Sequence, residues 1–489
     1  MIIESPATIR PKSDDLHSNS TKLIFKEERM KIIVAGTGYV GLVHAAVCSE
    51  YGHEVYAYDI NKEKIQAYAT GEATEIERYV NEPSLSSLIK EMHGKYLHFT
   101  DTIDEVIEGT DVIFFCLPTP PNEDGSSNLT YYDKAAEDIA RKLARRKDKR
   151  RVVLVNKSTV PIGTSRHLET IMMLNNVENF GVSSNPEFLA EGTAVTQARK
   201  PDRVVVGCDR EEDFKILRRV YSQFVNHVRI KYIQTTPETA EAIKYVANTM
   251  LLTYISFWNG VGARIGERIP NVNVDDLRRG VTADDRISTW GSYVSNGAGG
   301  SCFGKDIRSL IYQLRRVDVN TKMLESSYEV NEFQKVYLVD RAISEAGFSW
   351  STKTVAVLGL SFKKNTNDMR DASSIRVIET LLGKGVNRIK AYDPLSNEEA
   401  KKVFTAENNI LFSKIEYYES AEEALEGSDA LFISTDWEEF RGLSGVISRM
   451  VKPPYLIVDG RRMIPDYQDL VERGYHYLAV GSPSLQPGT

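Results

Sequence analysis

The stretch KIIVAGTGYVGLVHAAVCSEYGHEVYAYD, Lys31 to Asp59, decides how the rest of the chain is read. Ile32 to Ala35 form a short apolar run, Gly36, Gly38 and Gly41 give the pattern GxGxxG, and a second apolar run ends at Asp59, 23 residues after Gly36. This reads as strand, tight turn, helix and strand. The first glycine makes the turn, the second lets the backbone approach a pyrophosphate, and the third packs helix on strand. The pyrophosphate then rests on amide groups at the helix N-terminus. Asp59 is placed to accept both ribose hydroxyls and to repel a 2'-phosphate, which favours NAD over NADP. Tyr39 and Val40 in the turn, and Lys64 just past Asp59, complete the expected cofactor contacts at this end.

Working outward, DVIFFCLPTP (111–120) and RVVLVNKSTVPIGT (151–164) continue the alternation, each ending in a polar loop. In open α/β sheets ligands occupy the crevice beyond the carboxyl ends of the strands, so Thr119 and Thr159 are expected to face it, unless their Thr-Pro and Thr-Val steps merely stop strands. TVAVLGLSFKKNT (354–366) restarts the pattern, RIKAYDP (388–394) echoes EVYAYD (54–59), and EGSDALFISTDW (426–437) echoes EGTDVIFFCLPT (108–119). Three echoes in the same order predict a duplicated Rossmann-like domain. The second copy lacks the glycine triplet and carries Lys363 and Lys364, which suits a different phosphorylated ligand or a plain surface loop.

Between the copies, residues 235–345 are helical in pattern. PETAEAIKYVANTMLLTYISFWNGVGARIGERI fits one long helix opened by Pro237 and Glu238 after a Thr. Lys244 and Asn248, four apart, then share a face. The expected organisation is α/β: a tail over 1–30, a NAD-binding domain over 31–232, a central helical domain over 233–345 that carries Lys244, Asn248 and Cys302, and a second Rossmann-like domain over 346–489.

Composition sets limits. The 489 residues suffice for about three domains, and 42% hydrophobic with 26% charged residues is the balance of an ordinary soluble globular protein. A formal net charge of -7 argues against nucleic acid or an anionic membrane as the main partner. The uncharged run between Lys244 and Arg264 contains two Asn and several small polar residues, and is read as a buried helix rather than a membrane span. The first 30 residues lack the apolar core of a secretory signal. The four cysteines are scattered and the eight histidines form no HxxxH pair, so reduced thiols, a cytoplasmic location and no metal are expected.

One of those cysteines stands in NGAGGSCFGKD, Asn296 to Asp306. A thiol beside a nicotinamide adds to an aldehyde, and the resulting thiohemiacetal surrenders hydride to become a thioester that water hydrolyses. Lys305 or Lys244 nearby is expected to raise the thiolate fraction. The alternatives are an inert buried cysteine and a solvated Lys305–Asp306 surface pair.

Taken together, GTGYVGL (36–42), LPTP (117–120), KSTVPIGT (157–164), NPEFLAEGTA (185–194), PDRVVVG (201–207), KYVANTML (244–251), GGSCFGKD (299–306), LGLSFKKNTNDMRD (358–371), DPL (393–395) and DGRR (459–462) resemble the UDP-glucose/GDP-mannose dehydrogenase family from about Lys31 to Gly481. The resemblance implies a four-electron oxidation of a nucleotide-sugar alcohol to a carboxylate with NAD. It implies Cys302 as nucleophile, Lys244 and Asn248 as oxyanion donors, and Asp306 with Thr159 and Glu187 around a water used in proton transfer. For the substrate it implies Glu187, Phe188, Leu189, Glu191, Lys244, Asn248, Gly299, Phe303, Phe362, Lys363 and Arg461, and for the cofactor also Thr119, Thr159 and Lys305. Arg286 matches an arginine that reaches the sugar from a partner subunit, which would make the long helix a homodimer interface. Relatives read GFGGSCFPKD, so Ala298 and Gly304 are departures, as is Gly260 where the family has Glu. The same chemistry on a UDP-N-acetylhexosamine or GDP-mannose, a two-electron hydroxyacid dehydrogenase, and a catalytically weak nucleotide-sugar binder are the competing readings.

Overall fold

The computed structural model describes residues 29–486. Most of the expected tail lies outside them. Its last residue, Met30, is 1% exposed and packs in the first core.

Among the described residues fourteen strands form two sheets. The first contains β1 (Lys31–Ala35), β2 (Glu54–Tyr58), β3 (Leu97–Thr100), β4 (Val112–Phe115), β5 (Val152–Asn156), β6 (Phe180–Ser184), β7 (Arg203–Gly207) and β8 (Lys231–Thr235), in the order β3-β2-β1-β4-β5-β6-β7-β8. Its pairs are parallel except β6 with β7. The second contains β9 (Thr354–Leu358), β10 (Arg388–Tyr392), β11 (Ile415–Tyr417), β12 (Ala430–Ile433), β13 (Leu456–Asp459) and β14 (His476–Ala479), in the order β11-β10-β9-β12-β13-β14. Both sheets therefore contain the 3-2-1-4-5-6 arrangement of a doubly wound fold. The echoed segments fall on equivalent strands, β2 with β10 and β4 with β12. Helices cover both faces of each sheet, which explains why the strands read as continuous apolar runs such as VIFF and ALFI. The expected boundary at 232 cuts through β8, which pairs with β7 along its whole length, so the first sheet runs to Thr235.

Five helices position the site: α1 (Tyr39–Glu50), α2 (Ala194–Arg199), α3 (Pro237–Phe257), α4 (Phe303–Arg315) and α5 (Lys322–Ala346). Thr236 caps α3 by accepting from the Thr239 amide at 3.3 Å, and Pro237 takes the first helical position, where no amide is missed. The helix expected to be continuous is interrupted by a π-turn over Trp258–Gly262 before it resumes at Ala263–Arg268. Gly260 in this turn packs closely on α5: a Cβ there would sit 2.9 Å from Val330 Cγ1. Trp258 and Ala263, with Tyr337 and Leu338 of α5, join the core on one face of the second sheet, so the central helices are fused to that half. No helix among the described residues is long and apolar enough to cross a membrane.

Candidate active site

The glycines of the first turn divide their tasks as the spacing predicts. Gly36 has φ +92° and a Cβ there would meet the Cys116 carbonyl oxygen at 2.4 Å, while a Cβ on Gly41 would lie 1.9 Å from the Gly36 oxygen. Gly38 faces open space, with nothing within 4 Å of a Cβ. That is the approach a pyrophosphate needs, at the N-terminus of α1. Asp59 Oδ2 accepts from the Thr37 amide and hydroxyl, each at 2.9 Å, and from Lys64 Nζ at 2.7 Å. Despite its burial these donors hold the carboxyl below its usual range. Tyr39 and Val40 open α1; the Tyr39 hydroxyl donates to buried Glu82, which also accepts from the Gly192 amide ahead of α2. Thr119 Oγ1 donates to the Thr159 carbonyl at 2.9 Å, which ties the loops after β4 and β5 together at the strands' carboxyl ends.

The second copy keeps half of this device. Gly359 has φ +87° and its amide donates to the Tyr392 carbonyl at 2.8 Å, as the Gly36 amide donates to Tyr58. Asp393, the counterpart of Asp59, accepts from the Leu360 and Ser361 amides at 2.7 and 3.1 Å. No helix follows at once; the next one starts at Ser373. The intervening loop holds Phe362, Lys363 and Arg370. Lys363 lies over the Phe362 ring, with its ammonium held below the ordinary lysine range by burial. Arg461 Nε donates to the Ser434 carbonyl at 2.7 Å.

The candidate centre forms where the halves meet. Cys302 is the N-cap residue of α4, one end of a loop whose Gly299 would drive a Cβ to 2.5 Å from the Asp371 carbonyl. Phe303 opens α4 and packs against Leu252, Ile307 and Ile311. Asp306, fully buried in the first turn of α4, accepts from Asn248 Nδ2 at 2.6 Å and from Lys305 Nζ at 2.5 Å. Lys305 is therefore not a loose surface lysine. Lys244 donates to Glu187 Oε1 at 2.9 Å, and Glu187 Oε2 accepts from the Leu189 amide at 2.5 Å. The Phe188 ring lies under Arg203 and near Lys244, 3.8 and 5.4 Å from its centroid. Lys244 and Asn248 do share one face of α3, as their spacing requires.

Lys244 does pull the Cys302 thiol down, as expected, but it is outweighed. Part of Cys302 opens to solvent, yet the groups around the sulfur dominate: burial and then Asp306 push the thiol above its ordinary value, and Lys244 and Ser301 only partly oppose them. The resting sulfur is a thiol rather than a thiolate. Lys244 is driven up, against its burial, by Glu187, Cys302 and Asp306, and Glu187 is held below its usual range by Lys244, so this pair stays ionised.

Glu191 follows a different logic. Burial and then Asp368 push its carboxyl up to about 8, although it pairs with Arg370 at 2.9 Å. It thereby links the loop ahead of α2 to the Phe362–Arg370 loop of the second half. Arg286 is not brought to the centre by this chain: it is 87% exposed and bonded to Asp284. The resemblance gave Glu82 no place and left Asp393 and Arg370 inside matching motifs without a role; the partners Gly192, Leu360 and Glu191 lie 110, 33 and 179 positions away.

A dinucleotide-binding sheet facing a lysine, an asparagine and a cysteine defines an NAD-dependent dehydrogenase. The chain belongs to the UDP-glucose/GDP-mannose dehydrogenase family: the family's NAD binding domain matches residues 30–225, its central domain 238–333 and its UDP binding domain 356–466. It is 36% identical to the UDP-glucose 6-dehydrogenase TuaD of Bacillus subtilis over 93% of this chain and 94% of that protein. It is 34% identical to the UDP-glucose 6-dehydrogenase of Pseudomonas aeruginosa over 93% of this chain and 98% of that one. The solved UDP-glucose dehydrogenase of Pyrobaculum islandicum superposes with a TM-score of 0.82 at 30% identity, covering 93% and 98% of the two chains.

Proposed function

We propose that the chain is a UDP-glucose 6-dehydrogenase, converting the C6 alcohol of UDP-glucose to the carboxylate of UDP-glucuronate. The observation that carries this is the placement of Lys244 and Asp306 beside Cys302, with Asn248 bonded to Asp306, in a chain whose similar proteins carry that name. When bound, NAD+ accepts one hydride in each of two successive oxidations. In the first, the hydroxyl proton leaves through water beside Glu187 and Thr159 while Lys244 and Asn248 stabilise the oxygen anion. The Cys302 sulfur then adds to the aldehyde carbon as its proton passes to the carbonyl oxygen. Loss of the second hydride and of the hydroxyl proton leaves a thioester. Water, oriented by Asp306 and deprotonated by Glu187, adds to that carbon, and the sulfur leaves and regains a proton. Lys363 and Arg461 hold the diphosphate and Phe362 packs near the sugar, with Gly299 leaving room for both. The Lys305–Asp306 pair after the cysteine favours glucose over an N-acetylated sugar.

A homodimer belongs to this reading. Val246, Met250, Phe257 and Val261 are exposed along one face of α3 and its continuation, with Phe333 of α5 exposed as well. An apolar stripe of this kind favours a partner, and Arg286 needs one to meet a sugar. A cytoplasmic location fits the use of a free cysteine. The test is a panel of UDP- and GDP-sugars with NADH counted per substrate, on wild type and Cys302→Ala. Two NADH per UDP-glucose, and acid production lost in the variant, are expected. One NADH per substrate would move the chain to simple alcohol oxidation.

A further inference from the structure

Three buried carboxamides from the central helices grip the backbone that leads to Cys302. Asn259 Oδ1, in the π-turn, accepts from the Ser295 amide at 2.8 Å, and Gln334 Nε2 donates to the Ser295 carbonyl at 2.6 Å. Asn331 uses both ends of its amide on one residue: Oδ1 accepts from the Ala298 N–H at 2.8 Å and Nδ2 donates to the Ala298 C=O at 3.0 Å. The three side chains are 0%, 0% and 1% exposed. Their pattern is that of a neighbouring strand: each backbone group of Ser295 and Ala298 finds the complementary half of an amide, in a place where an unpaired one would be costly.

The position of this cradle matters more than its strength. Between Ala298 and Cys302 lie only Gly299, Gly300 and Ser301, and the glycines give neighbouring side chains nothing to hold. The remaining tether in this span is the Gly300 amide, which donates to the Arg370 carbonyl at 3.0 Å. The cradle is also uncharged, so it fixes the loop without adding a charge near the sulfur, unlike Lys244 or Asp306.

We propose that Asn331, supported by Asn259 and Gln334, is a positioning residue that sets where the Cys302 sulfur stands relative to the sugar carbon, an inference that rests on the function proposed above. Displacing a reacting atom by about 1 Å costs on the order of a hundredfold in rate, so partial release of the loop is expected to lower kcat at least tenfold. Substrate contacts are untouched, so KM for UDP-glucose is expected to stay within about threefold of wild type.

The experiment compares Asn331→Ala and Asn331→Asp, the latter keeping the acceptor for the Ala298 amide, with Ser327→Ala. Ser327 is a buried polar residue of α5 outside the cradle and serves as the control for general loosening. Each folded variant is measured for kcat, for KM and for the rate of Cys302 alkylation by iodoacetamide at one fixed pH. The expected result is a fall in kcat and a several-fold change in alkylation for Asn331→Ala, a smaller change for Asn331→Asp, and neither for Ser327→Ala. Wild-type kcat and alkylation in both Asn331 variants, or equal changes in Ser327→Ala, overturn the proposal. If Asn331→Ala does not fold, Asn331→Asp decides on the same criteria. Alkylation does not require turnover, so it reports on the loop even if acid production by Cys302→Ala were to sink the reading of the reaction.

Discussion

Cys302 rests as a thiol because burial and Asp306 outweigh Lys244, and this sets a direction for its pH dependence. A thiol whose ionisation is raised gains thiolate only as pH climbs, so alkylation by iodoacetamide is expected to keep rising through about pH 9 without levelling off, where an unperturbed cysteine approaches its plateau. Lys244→Met removes a group that pulls the thiol down, and should move that curve to still higher pH. In turnover the same variant loses a cationic oxyanion donor and is expected to slow by about a hundredfold or more. Glu187→Gln keeps the size of the side chain but cannot take a proton from water. Mass spectrometry of the variant quenched in mid-reaction with the C6 aldehyde and NAD+, which bypasses the first proton transfer beside Glu187, should then show the sugar acyl group accumulating on Cys302. A clean spectrum from an enzyme still making acid would remove Glu187 from the hydrolysis step.

Among the elements, β1, its glycine turn and α1 were legible because each requirement is local: an apolar run, three glycines and a strand-ending aspartate. Gly41→Ala tests the tightest contact, since its Cβ would overlap the Gly36 carbonyl oxygen. The helix must move away from the strand, and NAD affinity measured by titration is expected to fall at least tenfold while UDP binding to the second half holds. The face of α3 was equally legible, through the spacing of Lys244 from Asn248. The π-turn was not, because the 3.6-residue pattern runs on through Trp258–Gly262, and the close packing of Gly260 on Val330 of another helix is not visible in a sequence window around it. Asn331 and Gln334 escaped for the same reason: in α5 they read as ordinary polar helix residues until the loop they hold is in view. The thiol's upward shift was missed because the nearby lysines were visible in the sequence while burial was not.

At the scale of the molecule, the two sheets were foreshadowed by the echoes at 388–394 and 426–437, but their meeting was not. Arg370 reaching Glu191 joins residues 179 positions apart, and nothing in either stretch announces the other. The exposed stripe on α3 carries its own prediction. Phe257→Asp, which places a charge on an exposed residue of that stripe, is expected to yield monomers by sedimentation and to lose activity with the partner's arginine; a dimer of undiminished stability would refute the proposed interface.

The two halves share a turn at Gly36 and at Gly359 and an aspartate at the end of the following strand, yet only the first runs straight into a helix. That division lets the protein keep one hand closed while it opens the other. On the function proposed above, a spent nicotinamide leaves the helix-mouthed half and a fresh one enters, while the lysine-bearing loop retains its guest by the diphosphate. The half-finished aldehyde thus has no occasion to escape, and a trap added to the solvent should capture almost none of it.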